Sequence, residues 1–359
     1  MDWVYNIPVK FYEYTLDELK ERLSTFVGNV LFIGSKRLIK TFDLEVSNFQ
    51  VIDESISNPD VHLVEEMLSK IIKPDIIIAI GGGSTIDLAK AVSALYNFKG
   101  YDVLSLLKNK NYLDNDDSIP YIAIPTTAGT GSECTKWATI WDFDNSKKFS
   151  IDADYLYPNE SWLVPELTLT MDENMTLSTG LDALAHAMES YWSVPSNPYT
   201  RVLARDSIRI IRKYLPLALK DLDNLEYRKQ MIMGSFFAGL AFSNTRTTAC
   251  HSISYPLTML FGINHGYAAA LTLMEVLKRN WEYLNEKELF LDAWNVSNID
   301  EIENWLKEVS SGKLKLSKFG VDKSEIPNIV KLATTGGRMD NNPIIFNEIE
   351  IEEILFKSY

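Results

Sequence analysis

The sequence predicts an α/β dinucleotide-binding domain followed by an all-α domain, and three features carry that reading. From about Asp17 to Ile80 helical patterns alternate with apolar runs; three consecutive glycines, Gly81 to Gly83, follow the run IIIAI; and from about Leu177 onward long helical patterns replace the strand-like runs. The 359 residues, 46% of them hydrophobic, suffice for two cores, because single cores usually stop growing at about 250–300 residues. The expected division is 1–165 and 166–359, with a soft boundary at residues 158–176.

In chain order, TLDELKERLSTF reads as a polar helix, VLFIGS as a buried strand, VHLVEEMLSKIIK as an amphipathic helix and DIIIAIGGGS as a second buried strand. TIDLAKAVSALYN continues as a helix, and YIAIPTTAG as a third strand running into a loop. Short apolar runs alternating with helical patterns are the mark of a parallel sheet. The stretch DFDNSKKFSIDADYLYPNESWLVPELTLTM reads as a connection, and the remainder as helices. No internal repeat or low-complexity tract interrupts this order.

Composition narrows the function. With 49 Asp and Glu against 35 Lys and Arg the net charge is −14, which opposes attraction to nucleic acid or an anionic membrane. The two cysteines, Cys134 and Cys250, are far apart and form no CxxC pair, so neither a disulfide framework nor a cysteine zinc site is expected. No run approaches the ~20 apolar residues of a membrane span, and the N-terminus lacks a signal-peptide core. A soluble, cytoplasmic protein is expected.

Glycines directly after a buried strand, followed by Ser84 and a helix, let backbone N–H groups approach a phosphate at the positive end of the helix dipole. A plain strand-to-helix turn usually needs one glycine, so three favour an anion such as a pyrophosphate. The segment PTTAGTGSE, Pro125 to Glu133, also follows an apolar strand. It reads equally well as a nicotinamide-lining loop or as an ordinary turn-rich connection.

The chain has four histidines. In STGLDALAHAMESYW, Asp182 and His186 stand four apart, on one face of a helix. TTACHSISYPLTMLFGINHG adds His251, on an expected helix, and His265, after a turn at Gly262. Alone, an Asp/His pair four apart reads better as a surface ion pair, but two further histidines in an apolar, glycine-flanked segment reverse that preference. One carboxylate and three imidazoles suit Fe(II) or Zn(II) and leave a coordination position for substrate. His62 sits apart and reads as surface.

Together, GGGSTIDLAKA, IPTTAGTGSE, STGLDALAHAMESY and HSISYPLTMLFGINHG resemble the iron-containing (group III) alcohol dehydrogenases in order and spacing, over nearly the whole chain. The resemblance implies a dinucleotide domain and a helical domain with the active site in the cleft between them, and a homodimer. It assigns Gly81, Gly82, Gly83 and Ser84 to the pyrophosphate, Thr126, Thr127 and Thr130 to the rest of the cofactor, and Asp182, His186, His251 and His265 to the metal. Asp87, in the first of these motifs, joins the cofactor candidates. Two departures stand out. Many members carry a proton-relay histidine four residues after the third ligand, where this chain has Tyr255, leaving Tyr255, water or the cofactor ribose to deliver the proton. Many NAD-preferring members end the early strand with an acidic residue, where this chain has Gly34, Ser35 and Lys36; Ser35 and Lys36 are therefore cofactor candidates, with Lys36 suited to an NADPH 2′-phosphate.

The strings SNTRTTACHSISYPLT and GGRMDNNP resemble the branch that reduces phosphonoacetaldehyde to 2-hydroxyethylphosphonate. Arg246 and Arg338 are then the candidate phosphonate ligands, through forked hydrogen bonds, with Thr247, Thr248 and Asn341 as further donors. Taken singly, each arginine reads better as a packed or solvated surface charge. The expected activity is metal-dependent, NADH- or NADPH-linked reduction of a small aldehyde to a primary alcohol, with His265 and Tyr255 at the reacting oxygen. Rival readings are a general aliphatic, butanol or lactaldehyde dehydrogenase, a lyase of the dehydroquinate-synthase type, and a metal- or nucleotide-binding protein without chemistry.

Overall fold

The computed structural model describes residues 7–53, 58–114, 117–145, 147–333 and 338–359. The chain divides into two compact units, one comprising residues up to Thr127 together with Gly131–Thr170, the other Ala128–Thr130 with Met171–Tyr359.

The first unit is built on a six-stranded, all-parallel sheet. Its strands are β1 (Lys10–Glu13), β2 (Val30–Gly34), β3 (Gln50–Asp53), β4 (Ile76–Gly81), β5 (Tyr121–Pro125) and β8 (Glu160–Leu163), in the order β1-β8-β5-β4-β2-β3. A separate antiparallel hairpin joins β6 (Trp137–Asp142) to β7 (Lys147–Asp152). Side chains alternate across a strand, and here both faces are buried. Leu31, Ile33, Ile77, Ala79, Tyr121 and Ala123 enter one core, whereas Val30, Phe32, Ile78, Ile80, Ile122 and Ile124 enter the other. That explains why β2, β4 and β5 are continuous apolar runs instead of alternating ones.

The helices Leu16–Ser24, Lys36–Phe42, Val61–Lys70 and Val103–Asn109 start where the sequence offers a capping side chain. Thr15 and Glu18 form a capping box before Leu16–Ser24, and the Asp60 carboxylate accepts the Leu63 N–H at 2.8 Å before Val61–Lys70. The helix Gly83–Leu95 differs: Gly82 is its N-cap and offers no side-chain hydrogen bond.

The connection expected at 142–171 contains two strands, β7 and β8. Its four-residue β8 lies between β1 and β5 in the sheet. With Glu160 and Ser161 in so short a run, no local pattern marks it; it is a strand because two neighbours supply its hydrogen bonds.

The second unit is helical. The helices Glu173–Trp192, Pro198–Lys220 and Leu225–Thr245 pack together and are followed by Ala249–Phe261, His265–Ala270 and further helices to the C-terminus. Arg228, fully buried, holds the start of this bundle by donating to the Leu222 carbonyl, Thr176 Oγ1 and the Met171 carbonyl, each at 2.8 Å. Among the described residues no helix is long and apolar enough to cross a membrane.

Candidate metal centre and nucleotide loop

In the sheet unit, β2 connects outward to β3 while β4 connects the other way to β5, so the strand order reverses between β2 and β4. Ligands of open α/β sheets bind at the carboxyl ends of the strands at such a point. Gly34 ends β2 there with Ser35 next in the chain, and Gly81 ends β4 with Gly82 and Gly83 turning into the following helix. A Cβ on Gly81 would lie 2.2 Å from Thr85 Oγ1, so the backbone turns here only because the side chain is absent. With no capping side chain at Gly82, the first N–H groups of Gly83–Leu95 are left for an anion.

The threonine loop lies against this turn. The Thr126 N–H donates to the Gly81 carbonyl at 2.9 Å, and the Thr127 side chain is 3.5 Å from where a Gly82 Cβ would stand. Ser84 Oγ accepts the Asn58 N–H at 3.1 Å. Thr130 is half-buried. Both Asp87 oxygens are engaged, accepting from Ser132 Oγ at 2.7 Å and the Thr139 N–H at 2.9 Å.

Ser35 caps the helix Lys36–Phe42, accepting the Leu38 N–H. Lys36 is paired: its N–H donates to Asp53 Oδ1 at 2.8 Å, and its ammonium stands 3.3 Å from Asp53 Oδ2. Asp53 ends β3, in register with Gly34. Its pKa is lowered, first by the Lys36 backbone N–H. Sequence reasoning, looking for an acidic residue on β2, missed this one on the neighbouring strand.

In the helical unit, Asp182, His186 and His251 are all buried, and a ligand atom from each lies within 4.8 Å of the others. The His186 and His251 rings stack with centroids 4.4 Å apart, and the Phe242 ring also stacks with His186, at 4.2 Å. His265 stands beside this trio, half-buried, with Nε2 3.8 Å from Asp182 Oδ1 and its ring edge-on to His251 at 5.1 Å. Gly266 permits that approach, because a Cβ there would lie 1.9 Å from the Ser178 carbonyl oxygen.

Three atoms in this cluster, Asp182 Oδ1, His186 Nδ1 and His251 Nε2, are buried without a hydrogen-bond partner. Asp182 Oδ1 and His251 Nε2 are 3.5 Å apart, long for a hydrogen bond. Buried polar atoms are ordinarily satisfied, so an orphaned carboxylate oxygen among imidazoles fits a divalent cation. Burial works to raise Asp182, but His186, His265 and His251 outweigh it and hold the carboxyl well below its usual range. Burial pulls His186 down to about 4, keeping the imidazole neutral as a ligand must be.

Glu189 completes the cluster. It is fully buried and hydrogen-bonds His251 Nδ1, while its Oε1 accepts from Thr248 Oγ1 and the Cys250 N–H, both at 2.7 Å. Burial opposes charge on His251, but Glu189 and Asp182 raise it to about 9, so a cation at Nε2 would bind in exchange for a proton. A carboxylate on the far ring nitrogen of a ligating histidine fixes its tautomer and orientation. Sequence reasoning missed Glu189, although a signal existed: positions 182, 186 and 189 follow the i, i+4, i+7 spacing of one helix face.

Arg246 follows the helix Leu225–Thr245 as its C-cap with a positive φ of +60° and an extended ψ of 178°, and is exposed. Arg338 is partly buried, with its pKa lowered by burial and by the like charge of Arg246 and raised by Glu189. The Asn341 amide reaches the Thr245 and Thr247 carbonyls at 3.5 and 3.4 Å, tying the two segments together. Gly336 and Gly337, in the same motif, lie outside the described residues. Tyr255 is half-buried one turn beyond His251, and burial raises its pKa. His62 is exposed and pairs with Asp144 at 2.8 Å, matching its reading as a surface residue.

The family model described as "Iron-containing alcohol dehydrogenase" matches residues 8–165, and that described as "Fe-containing alcohol dehydrogenase family, C-terminal" matches residues 176–359. The long-chain primary alcohol dehydrogenase AdhA of Thermoanaerobacter ethanolicus is 30% identical, the match covering 93% of this chain and 90% of that one. The phosphonoacetaldehyde reductase of Streptomyces viridochromogenes is 31% identical, over 64% of this chain and 59% of that one. Sulfoacetaldehyde reductase from Bifidobacterium kashiwanohense, solved in complex with NAD+, superposes with a TM-score of 0.87 at 26% identity, covering 99% of this chain and 98% of that one.

Proposed function

The chain belongs to the iron-containing alcohol dehydrogenase family and is an oxidoreductase acting on alcohols or aldehydes; from that premise we propose that it reduces a small aldehyde with an anionic head group, phosphonoacetaldehyde foremost, to the primary alcohol. Asp182, His186, His251 and His265 hold a divalent metal, iron or zinc. The dinucleotide lies at the carboxyl ends of β2 and β4, with its pyrophosphate on Gly81 to Gly83 and Ser84, and Thr126, Thr127 and Thr130 along the rest of it. Asp53 favours the ribose hydroxyls of NADH, whereas Lys36 would serve the 2′-phosphate of NADPH.

One observation carries the head-group assignment. The Asn341 amide, three residues after Arg338, reaches the carbonyls of Thr245 and Thr247, on either side of Arg246, at 3.5 and 3.4 Å, so the two arginines stand on segments tied to each other. Two guanidiniums on these joined segments, one of which leads into the helix that carries His251, support recognition of an oxyanion by forked hydrogen bonds. The relatives named for phosphonoacetaldehyde and sulfoacetaldehyde reduction support the same substrate class.

When bound, the metal supplies Lewis acidity at the carbonyl and the reduced dinucleotide supplies hydride. The protein's part is placement and proton delivery. Arg246 and Arg338 fix the head group, Asp182, His186, His251 and His265 would hold the metal, and Glu189 keeps the His251 ring in register. Tyr255, whose pKa burial raises, is the side chain that donates a proton to the product oxygen. The two buried free cysteines are in keeping with a reducing cytoplasm, and the proposal includes a homodimer and a division of labour near residues 165 and 166.

The test is turnover by metal-loaded enzyme of phosphonoacetaldehyde, sulfoacetaldehyde, butanal, lactaldehyde and glycolaldehyde with NADH or NADPH, followed by loss of the reduced cofactor's absorbance. Preference for the anionic aldehydes supports the proposal. Equal turnover of uncharged aldehydes retains the dehydrogenase and discards the head group, and a reaction without net cofactor consumption points to a lyase.

A further inference from the structure

The glycine-loop helix carries a buried cation that the reaction does not call for. Lys90 is completely buried, two turns into Gly83–Leu95, and its ammonium donates to the Ser132 carbonyl and Ser132 Oγ at 2.8 Å, and to Thr135 Oγ1 and the Trp137 carbonyl at 2.9 Å. One turn earlier on the same helix, Asp87 takes the Ser132 hydroxyl and the Thr139 N–H, and the two charges stand 3.8 Å apart. All these partners lie in the segment by which the threonine loop returns to the sheet unit. The other end of that loop is bonded, through the Thr126 N–H, to the Gly81 carbonyl at the foot of the same helix. Both ends of the threonine loop are thus fastened to a single strand–turn–helix, β4 through Leu95, whose turn is the glycine loop.

A buried lysine is an expensive way to hold a loop. Burial lowers its pKa to about 8 despite Asp87 and Glu133 beside it, and an apolar side chain of similar length would pack the same helix without desolvating a charge. What the ammonium adds is direction, since several hydrogen bonds from one atom specify where each acceptor stands.

We propose that Lys90 is a positioning residue for the dinucleotide: with Asp87 it clasps the Ser132–Trp137 segment to the glycine-loop helix, holding the threonine loop and the phosphate-binding turn at a set separation before the cofactor arrives. Asp87 then serves the cofactor through the loop and not by direct contact. Preorganisation of this kind acts on cofactor affinity by removing the cost of ordering the loop at binding. The inference rests on the nucleotide reading given above.

The experiment compares NADH and NADPH binding to metal-loaded wild type, Lys90→Met, Ser132→Ala and Arg228→Met by calorimetry, with steady-state constants alongside. Ser132→Ala removes one hydroxyl and keeps the buried charges, so it reports even if Lys90→Met does not fold. Arg228→Met breaks a buried hydrogen-bonded cation in the helical unit and controls for general destabilisation. The expected result is a Kd and KM for cofactor raised about tenfold in the Lys90 and Ser132 variants, from the loss of charge-assisted bonds, with the KM for aldehyde and the metal content unchanged and Arg228→Met binding cofactor as wild type does. Unaltered cofactor affinity in a folded Ser132→Ala or Lys90→Met overturns the clasp while leaving the nucleotide reading intact. An equal loss in Arg228→Met also overturns it, and failure of wild type to bind either dinucleotide overturns both.

Discussion

Replacing Gly266 with alanine tests the metal centre without touching a ligand. The added Cβ would sit 1.9 Å from the Ser178 carbonyl oxygen, 2.7 Å from its carbon and 3.0 Å from Asp182 Cβ. A comfortable contact is about 3.4 Å, so the shortfall is roughly 1.5 Å. Two of the three opposing atoms are backbone of the helix Glu173–Trp192, so no side chain can swing aside. The helix His265–Ala270 must withdraw, taking His265 with it. Overpacking of this kind costs about 1–3 kcal/mol of stability, but the sharper consequence is at the ligands. Metal–ligand distances tolerate only about 0.2 Å, so a shift on the order of 1 Å at His265 removes it from the coordination sphere. The expected outcome is metal affinity lowered at least 10–100-fold, by analogy with loss of an outer-shell partner, in a protein that still melts cooperatively. The assay is metal content after dialysis against graded chelator, with melting curves recorded with and without added Fe(II) or Zn(II). Wild-type stoichiometry and chelator resistance in Gly266→Ala would refute the argument that this glycine sets the position of His265.

Glu189→Gln keeps the shape of the side chain but loses the charge on His251 Nδ1; metal affinity should fall about 10–100-fold, read by the same chelator titration, and unchanged affinity would remove Glu189 from the site. Arg338→Gln should raise KM for phosphonoacetaldehyde by about tenfold or more while leaving butanal kinetics within about twofold; parallel losses on both substrates would mean the arginine serves structure alone. Glu133 supplies a pH test, since burial, its largest cause, raises its pKa to about 7. With the folded pKa above the unfolded one near 4.5, its contribution is present in full below pH ~4.5 and is lost as pH rises through ~7. Relative to Glu133→Gln, wild type should therefore lose stability over that window, by about 3 kcal/mol, measured as the difference in melting temperature at each pH; a constant difference would show that Glu133 titrates normally.

Much of this chain could be read locally because its signals are local. The runs that become β2, β4 and β5 are apolar throughout since both faces of a parallel sheet are covered, the glycine run follows its strand directly, and Asp182 and His186 share a helix face by spacing alone. The four short motifs that identify the family are likewise continuous in sequence. Tertiary structure decided what depends on residues far apart. The strand β8 takes its place between β1 and β5 without a pattern of its own, because hydrogen bonds from its neighbours make it a strand. Glu189 reaches a histidine 62 residues away, Lys90 fastens a segment 42 to 47 residues on, and Lys36, unpaired in a linear reading, meets Asp53 across adjacent strands. Sequence spacing specifies which side chains share one element. Which charge is neutralised, which nitrogen is left for a metal and which loop is held still depend on contacts between elements, and those exist only once the chain has packed.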